Sequence, residues 1–108
     1  MSKRRKRLEQ EAPTRSPALT GVAQLLSETA VATVDLHGYT VAQAHLRLRD
    51  FLTTYAHIST GSVVHIITGK STAVLLELVR DMLDGDAAHH VDEYAGMLGG
   101  GGWVVRVK

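Results

Sequence analysis

Two hydrophobic periods alternate along the chain. A β-branched run from Val31 to Val34 leads into Asp35-Leu36-His37-Gly38 and predicts a strand over Val31 to Leu36. From Thr40 to His57 the apolar positions change to three-and-four spacing: Val41, Ala44, Leu48, Phe51, Leu52 and Tyr55. That spacing predicts a helix with one stripe facing a core. Thr40 and Gln43 match a capping box, in which each side chain satisfies the other residue's free backbone N–H. Val63 to Ile67 is nearly continuous in apolar character, as in a strand buried on both faces. Val74, Leu75, Leu78, Val79 and Met82 mark a second helix, with Gly85 as its C-terminal stop. Ala88 to Tyr94 reads as a third, more polar strand. Gly99 to Gly102 reads as a glycine loop, and Trp103 to Lys108 as a last, alternating strand.

The order β-α-β-α-β-β predicts an α/β fold. It is a two-layer sandwich whose four-stranded sheet is mixed and mostly parallel, with two helices on it. The first thirty residues divide differently. Residues 1–17 are polar, charged and hold both prolines, Pro13 and Pro17, so they read as a disordered basic arm. Residues 18–30 read as a short N-terminal helix with Leu19, Val22, Leu25 and Leu26 on one side, and residues 31–108 as the folded domain.

Composition narrows the chemistry. With 108 residues the chain fits one domain, and with no Cys it has no disulfide, thiolate metal site or cysteine nucleophile. Net charge is +1, but Lys3 to Arg7 are all basic, whereas Asp81, Asp84, Asp86, Asp92 and Glu93 make a later stretch acidic. The arm suits either extra phosphate contacts or a solubilising tail. No apolar run approaches the ~20 residues of a membrane span, and no secretory h-region follows the basic start, so the expected location is cytoplasmic, with no membrane partner.

In a parallel pair, ligands collect at the carboxyl ends of the strands. Two candidate loops fall there. Asp35 and His37 offer an acid and an imidazole; two apart on a strand, they would share a face, and the carboxylate would orient the ring for proton transfer. Thr68-Gly69-Lys70-Ser71 offers a hydroxyl, backbone N–H groups at a helix start and an ammonium, all suited to phosphate. A nucleotide-binding P-loop would need a further glycine where this chain has Val64. The six histidines, His37, His45, His57, His65, His89 and His90, show no metal-binding spacing. His45 and His57 read as solvent-facing, and His65 as a satisfied core residue. His89 and His90 would face opposite sides of a strand, so that only one could approach the site. Arg47 and Arg49 lie off the core stripe, on a solvated face.

Asp35-Leu36-His37-Gly38 before a capped helix, Thr68-Gly69-Lys70 opening the next, and a glycine run before a short final strand together resemble the Smr (small MutS-related) domain. The resemblance covers residues 32 to 108. It implies a fold similar to the C-terminal domain of translation initiation factor 3, nucleic-acid binding and, in many members, endonuclease activity on DNA or RNA. Asp35, His37 and Gly38 match the first motif, and Thr68, Gly69 and Lys70 the second. Where the family usually has glycines and an early helix arginine, this chain has Ser71, Ala73 and Leu76. The implied catalytic residues are Asp35 and His37. The implied phosphate or nucleic-acid contacts are Gly38, Thr68, Gly69, Lys70 and Ser71. Asp35 would orient His37 or hold a divalent ion such as Mg²⁺ or Mn²⁺ where one is used. Three functions follow: an endonuclease, a binding module without catalysis, and an interaction domain of a repair, recombination or ribosome-associated factor that uses the acidic stretch Asp81 to Glu93.

Overall fold

In the computed structural model, residues 21–69 and 73–108 are described. The basic arm, residues 18–20, and the site candidates Lys70 and Ser71 lie outside them. Helix α1 spans Gly21–Ser27, strand β1 Ala32–Asp35, helix α2 Val41–Ile58 and strand β2 Val63–Ile67. Helix α3 spans Ala73–Asp84, one turn of 3₁₀ helix Ala88–His90, strand β3 Val91–Gly96 and strand β4 Gly102–Val107. None of the described helices is long and apolar enough to cross a membrane.

The sheet order is β1-β2-β4-β3. β1 and β2 pair in parallel, while β4 inserts antiparallel to both β2 and β3. Three of the four strands therefore point the same way, with β4 reversed between two of them. The expected mixed α/β sandwich holds, but the last strand lies inside the sheet, between β2 and β3. The third strand begins at Val91 because residues 88–90 close a 3₁₀ turn, with the His90 N–H on the Ala87 carbonyl at 2.9 Å. His89 and His90 therefore sit side by side on that turn, ring centroids 3.9 Å apart, at the entry of β3. This is the end of the sheet away from the two loops. Neither histidine approaches the site.

One face of the sheet is covered by α2 and α3. Val34, Leu36, Val64, Ile66, Val105 and Val107 pack there against Ala44, Leu48, Phe51 and Leu52 of α2 and Leu75, Val79, Met82 and Leu83 of α3. The helical spacing is responsible, since positions three and four apart fall on one side. Both predicted stripes begin one residue too early. Val41 and Val74 sit in the first turns of their helices and are exposed. The Thr40–Gln43 capping box is present in both directions, at 3.0 and 3.2 Å.

The other face is covered in part. Leu25 of α1, with Val63 and Val104, makes a second small core, with Leu26, Ala30, Ala95 and Met97 packed against it. Arg106 holds this layer in place. Its guanidinium donates to both oxygens of Glu28, to Glu93 Oε2 at 2.9 Å and to the Gly61 carbonyl at 3.0 Å. Its side chain is only 15% exposed. These bonds raise the Arg106 pKa, chiefly through Glu28 and then Glu93, and the same bond to Arg106 lowers that of Glu28.

Three residues of the acidic stretch have partners within the domain. Asp84 accepts the Tyr94 hydroxyl, Asp86 meets His45 Nε2 at 3.3 Å, and Glu93 meets Arg106. His45 is thereby tied down and not simply solvent-facing.

Gly102 is the tightest point of the sheet. It is buried opposite Ile67, and a Cβ there would lie 2.3 Å from the Ile66 carbonyl oxygen and 2.8 Å from Met97 Sδ. Gly102→Ala is expected to lower stability by about 1–3 kcal/mol, the usual cost of overpacking, with no change in denaturant slope when unfolding is followed in urea. Unchanged stability would refute the close approach.

Candidate nucleic-acid site

The first loop is built by Leu36. Its side chain is fully buried, its N–H donates to the Ile67 carbonyl at 2.7 Å, and its carbonyl accepts the Tyr39 N–H at 3.0 Å. The second of these bonds closes a four-residue turn, Leu36 to Tyr39. Gly38 sits third in it with φ +81°, the left-handed value that favours glycine at that position. Gly38 thus shapes the loop, in addition to any contact it makes.

Strand pairing ends at Asp35, so a turn and not a shared strand face brings the acid and the imidazole together. Asp35 Oδ1 accepts the His37 backbone N–H at 3.0 Å and meets His37 Nδ1 at 2.8 Å. An aspartate bonding the backbone two residues on is a recurrent turn device. Both side chains face solvent, 53% exposed for Asp35 and 72% for His37. The backbone N–H of His37, then its ring, hold the Asp35 carboxyl below its ordinary range. With the carboxylate as acceptor, a neutral His37 ring carries its proton on Nδ1, which leaves the Nε2 lone pair outward. Such an imidazole can accept a proton from a substrate.

The second loop lies directly alongside, because Asp35 is paired with Ile67 and Leu36 bonds to it. Its chemistry differs from that expected. Thr68 is fully buried, with its N–H on the Gly101 carbonyl at 2.8 Å and its hydroxyl on the same oxygen at 3.3 Å. Gly69, with φ +90°, also donates its N–H to Gly101, at 3.1 Å. Direct phosphate contact by Thr68 or by the Gly69 amide is not what this arrangement offers. The two residues fasten the loop to the start of β4. Trp103 positions the following helix, its Nε1–H donating to the Leu76 carbonyl at 3.2 Å.

His65 departs from its expected core placement. Val64 and Ile66 take the helix-covered face, so His65 between them points to the other, where it is half-buried. Arg47 and Arg49 are exposed as expected, with the Arg47 guanidinium 5.9 Å from the centre of the Phe51 ring. Among the described residues no group of three or more His, Asp or Glu side chains could hold a metal ion.

A model of the Smr domain matches residues 34–106. The chain belongs to the Smr domain family. The crystal structure of the Smr domain of Thermus thermophilus MutS2 matches this fold with a TM-score of 0.63 and 30% sequence identity, over 72% of this chain and 99% of that one. No curated protein sequence matches. Smr domains generally bind nucleic acid, and some members are nucleases.

Sequence reasoning missed Gly101 and Arg106. Gly101 acts through its carbonyl, which no side-chain motif records. Arg106 had one available signal, a lone cation among the apolar positions of the last strand.

The Asp35 contact has a titration signature. Its carboxyl should hold its charge above the lowered midpoint and release His37 only as pH falls through that midpoint, beneath the ordinary 3.8. By ¹³C NMR, His37→Ala should raise the midpoint only part of the way to 3.8, because the backbone N–H remains. A midpoint of 3.8 in the wild type would remove the contact.

Proposed function

We propose that this Smr domain is an endonuclease that cuts DNA or RNA phosphodiester bonds at the Asp35–His37 corner. The observation that carries the reading is the Nδ1–carboxylate contact of 2.8 Å, which leaves Nε2 of an exposed ring free to act as a base. On RNA, Nε2 takes the proton of the 2′-hydroxyl, whose oxygen attacks phosphorus and expels the 5′-oxygen of the next nucleotide. That oxygen is then protonated, leaving a cyclic phosphate. On DNA Nε2 takes a proton from water, whose oxygen attacks phosphorus and expels one ester oxygen, and the imidazolium returns the proton to that leaving oxygen. Asp35 fixes the ring's tautomer and balances the imidazolium that forms. Lys70 and the Ser71 amide, next in the chain after the Gly69 clamp, serve the growing phosphate charge. The basic arm, Lys3 to Arg7, adds sequence-independent phosphate contacts.

A binding module without catalysis is the second reading. It is favoured by the Gly69 amide, already bonded to Gly101, and by Leu76 in place of a cation. The interaction-domain reading rests on the exposed Asp81 and Asp92, since Asp84, Asp86 and Glu93 each hold a partner inside the domain. A repair or ribosome-associated role would come through the nucleic acid.

Branched DNA and structured RNA, each incubated with Mg²⁺, Mn²⁺ or EDTA, separate the two readings. Cleavage by the wild type should fall by about 10²–10⁴-fold in Asp35→Ala and His37→Ala, the usual worth of a general base. Binding without cleavage under all conditions would select the second reading.

A further inference from the structure

We infer that His65 is a nucleic-acid contact and that a single-stranded segment of the substrate crosses the part of the sheet that α1 leaves open beside it. This rests on the nucleic-acid reading above and adds the path of the strand.

The sheet's second face is divided. α1 closes it over β3, β4 and the start of β2, with Leu25 against Val63 and Val104 and Arg106 bound to Glu28. Over β1 and β2 the alternation puts Thr33 and Asp35 beside His65 and Ile67, in the register Thr33↔His65 and Asp35↔Ile67. Thr33 and Asp35 are exposed; His65 and Ile67 are half-buried. This open part is continuous with the candidate site, because Asp35 belongs to both.

Its chemistry suits one strand of nucleic acid. The His65 ring makes no hydrogen bond with another described residue, so its N–H is available to a phosphate oxygen. Its imidazole is also a ring on which an unstacked base can rest, with the half-buried Ile67 beside it on the same strand face. His65 lies two residues back along β2 from the partner of Asp35. With strands ~4.8 Å apart and ~3.3 Å of rise per residue, the two Cα atoms are roughly 8 Å apart. A span of this size is on the order of one nucleotide step along an extended single strand. A strand with its reacting phosphate at His37 can therefore place a neighbouring phosphate at His65.

The test uses short unstructured oligonucleotides of RNA and of the same sequence in DNA. In the wild type, the imidazole ¹H–¹⁵N resonances of His65 should shift on titration while those of His57, at the far end of α2, stay in place. His65→Ala should weaken binding about 3- to 10-fold, the worth of one ordinary solvent-accessible hydrogen bond. His65→Gln, which keeps an N–H donor, should bind within about twofold of wild type. Binding by the wild type with an unmoved His65 resonance and an unaffected alanine variant would overturn the strand path alone. A wild type that binds only branched DNA or structured RNA would also overturn the path alone, and one that binds none of the four would overturn the path and the nucleic-acid reading together.

Discussion

The close approach of β4 to β2 is the constraint on which the site depends. At Gly102 the two backbones come nearer than any side chain permits, with the Ile66 carbonyl where a Cβ would stand. One residue earlier, the Gly101 carbonyl collects the Thr68 N–H, the Thr68 hydroxyl and the Gly69 N–H. A buried threonine hydroxyl needs a partner, and Gly101 supplies it. The glycines before the last strand therefore do two things. They let the reversed strand enter the middle of the sheet, and they set the direction in which the chain leaves β2.

That exit direction places the two loops together. The Leu36 N–H bonds to the carbonyl of Ile67, immediately before the clamped pair, so the Asp35–His37 turn is registered against the same backbone. Burying a leucine side chain stabilises by about 1.5–3 kcal/mol, and here it keeps a solvent-facing acid and imidazole on a rigid base. The dyad itself is exposed and gains little from burial. Its geometry comes from one carboxylate oxygen that serves both a backbone N–H and a ring nitrogen of the same residue.

Arg106 does for the second face what the helices do for the first. Among apolar neighbours an unpaired guanidinium would be costly, and four hydrogen bonds to Glu28, Glu93 and Gly61 satisfy it. The result is an α1 that covers β3, β4 and the start of β2 and leaves Thr33 and Asp35 exposed and His65 and Ile67 half-buried, on the side where Asp35 emerges.

Local pattern was enough to read both long helices, the Thr40 cap, the strands β1, β2 and β4, and the Asp35-Leu36-His37-Gly38 turn. Each of these depends on residues within one or two turns of one another. Their spacing is set by helix and strand geometry, whatever the rest of the chain does. The sequence also determined that an acid and an imidazole would leave one strand and a glycine turn its neighbour. What it could not determine were contacts between residues far apart in the chain: Thr68 and Gly69 on Gly101, Arg106 on Glu28, and Ala88 to His90 coiled where a strand was expected. The face that His65 occupies also depended on which side of the sheet the two long helices covered. Those were decided by the packing of the whole sheet, because a backbone carbonyl or a lone buried cation finds its partner only once distant segments are brought together.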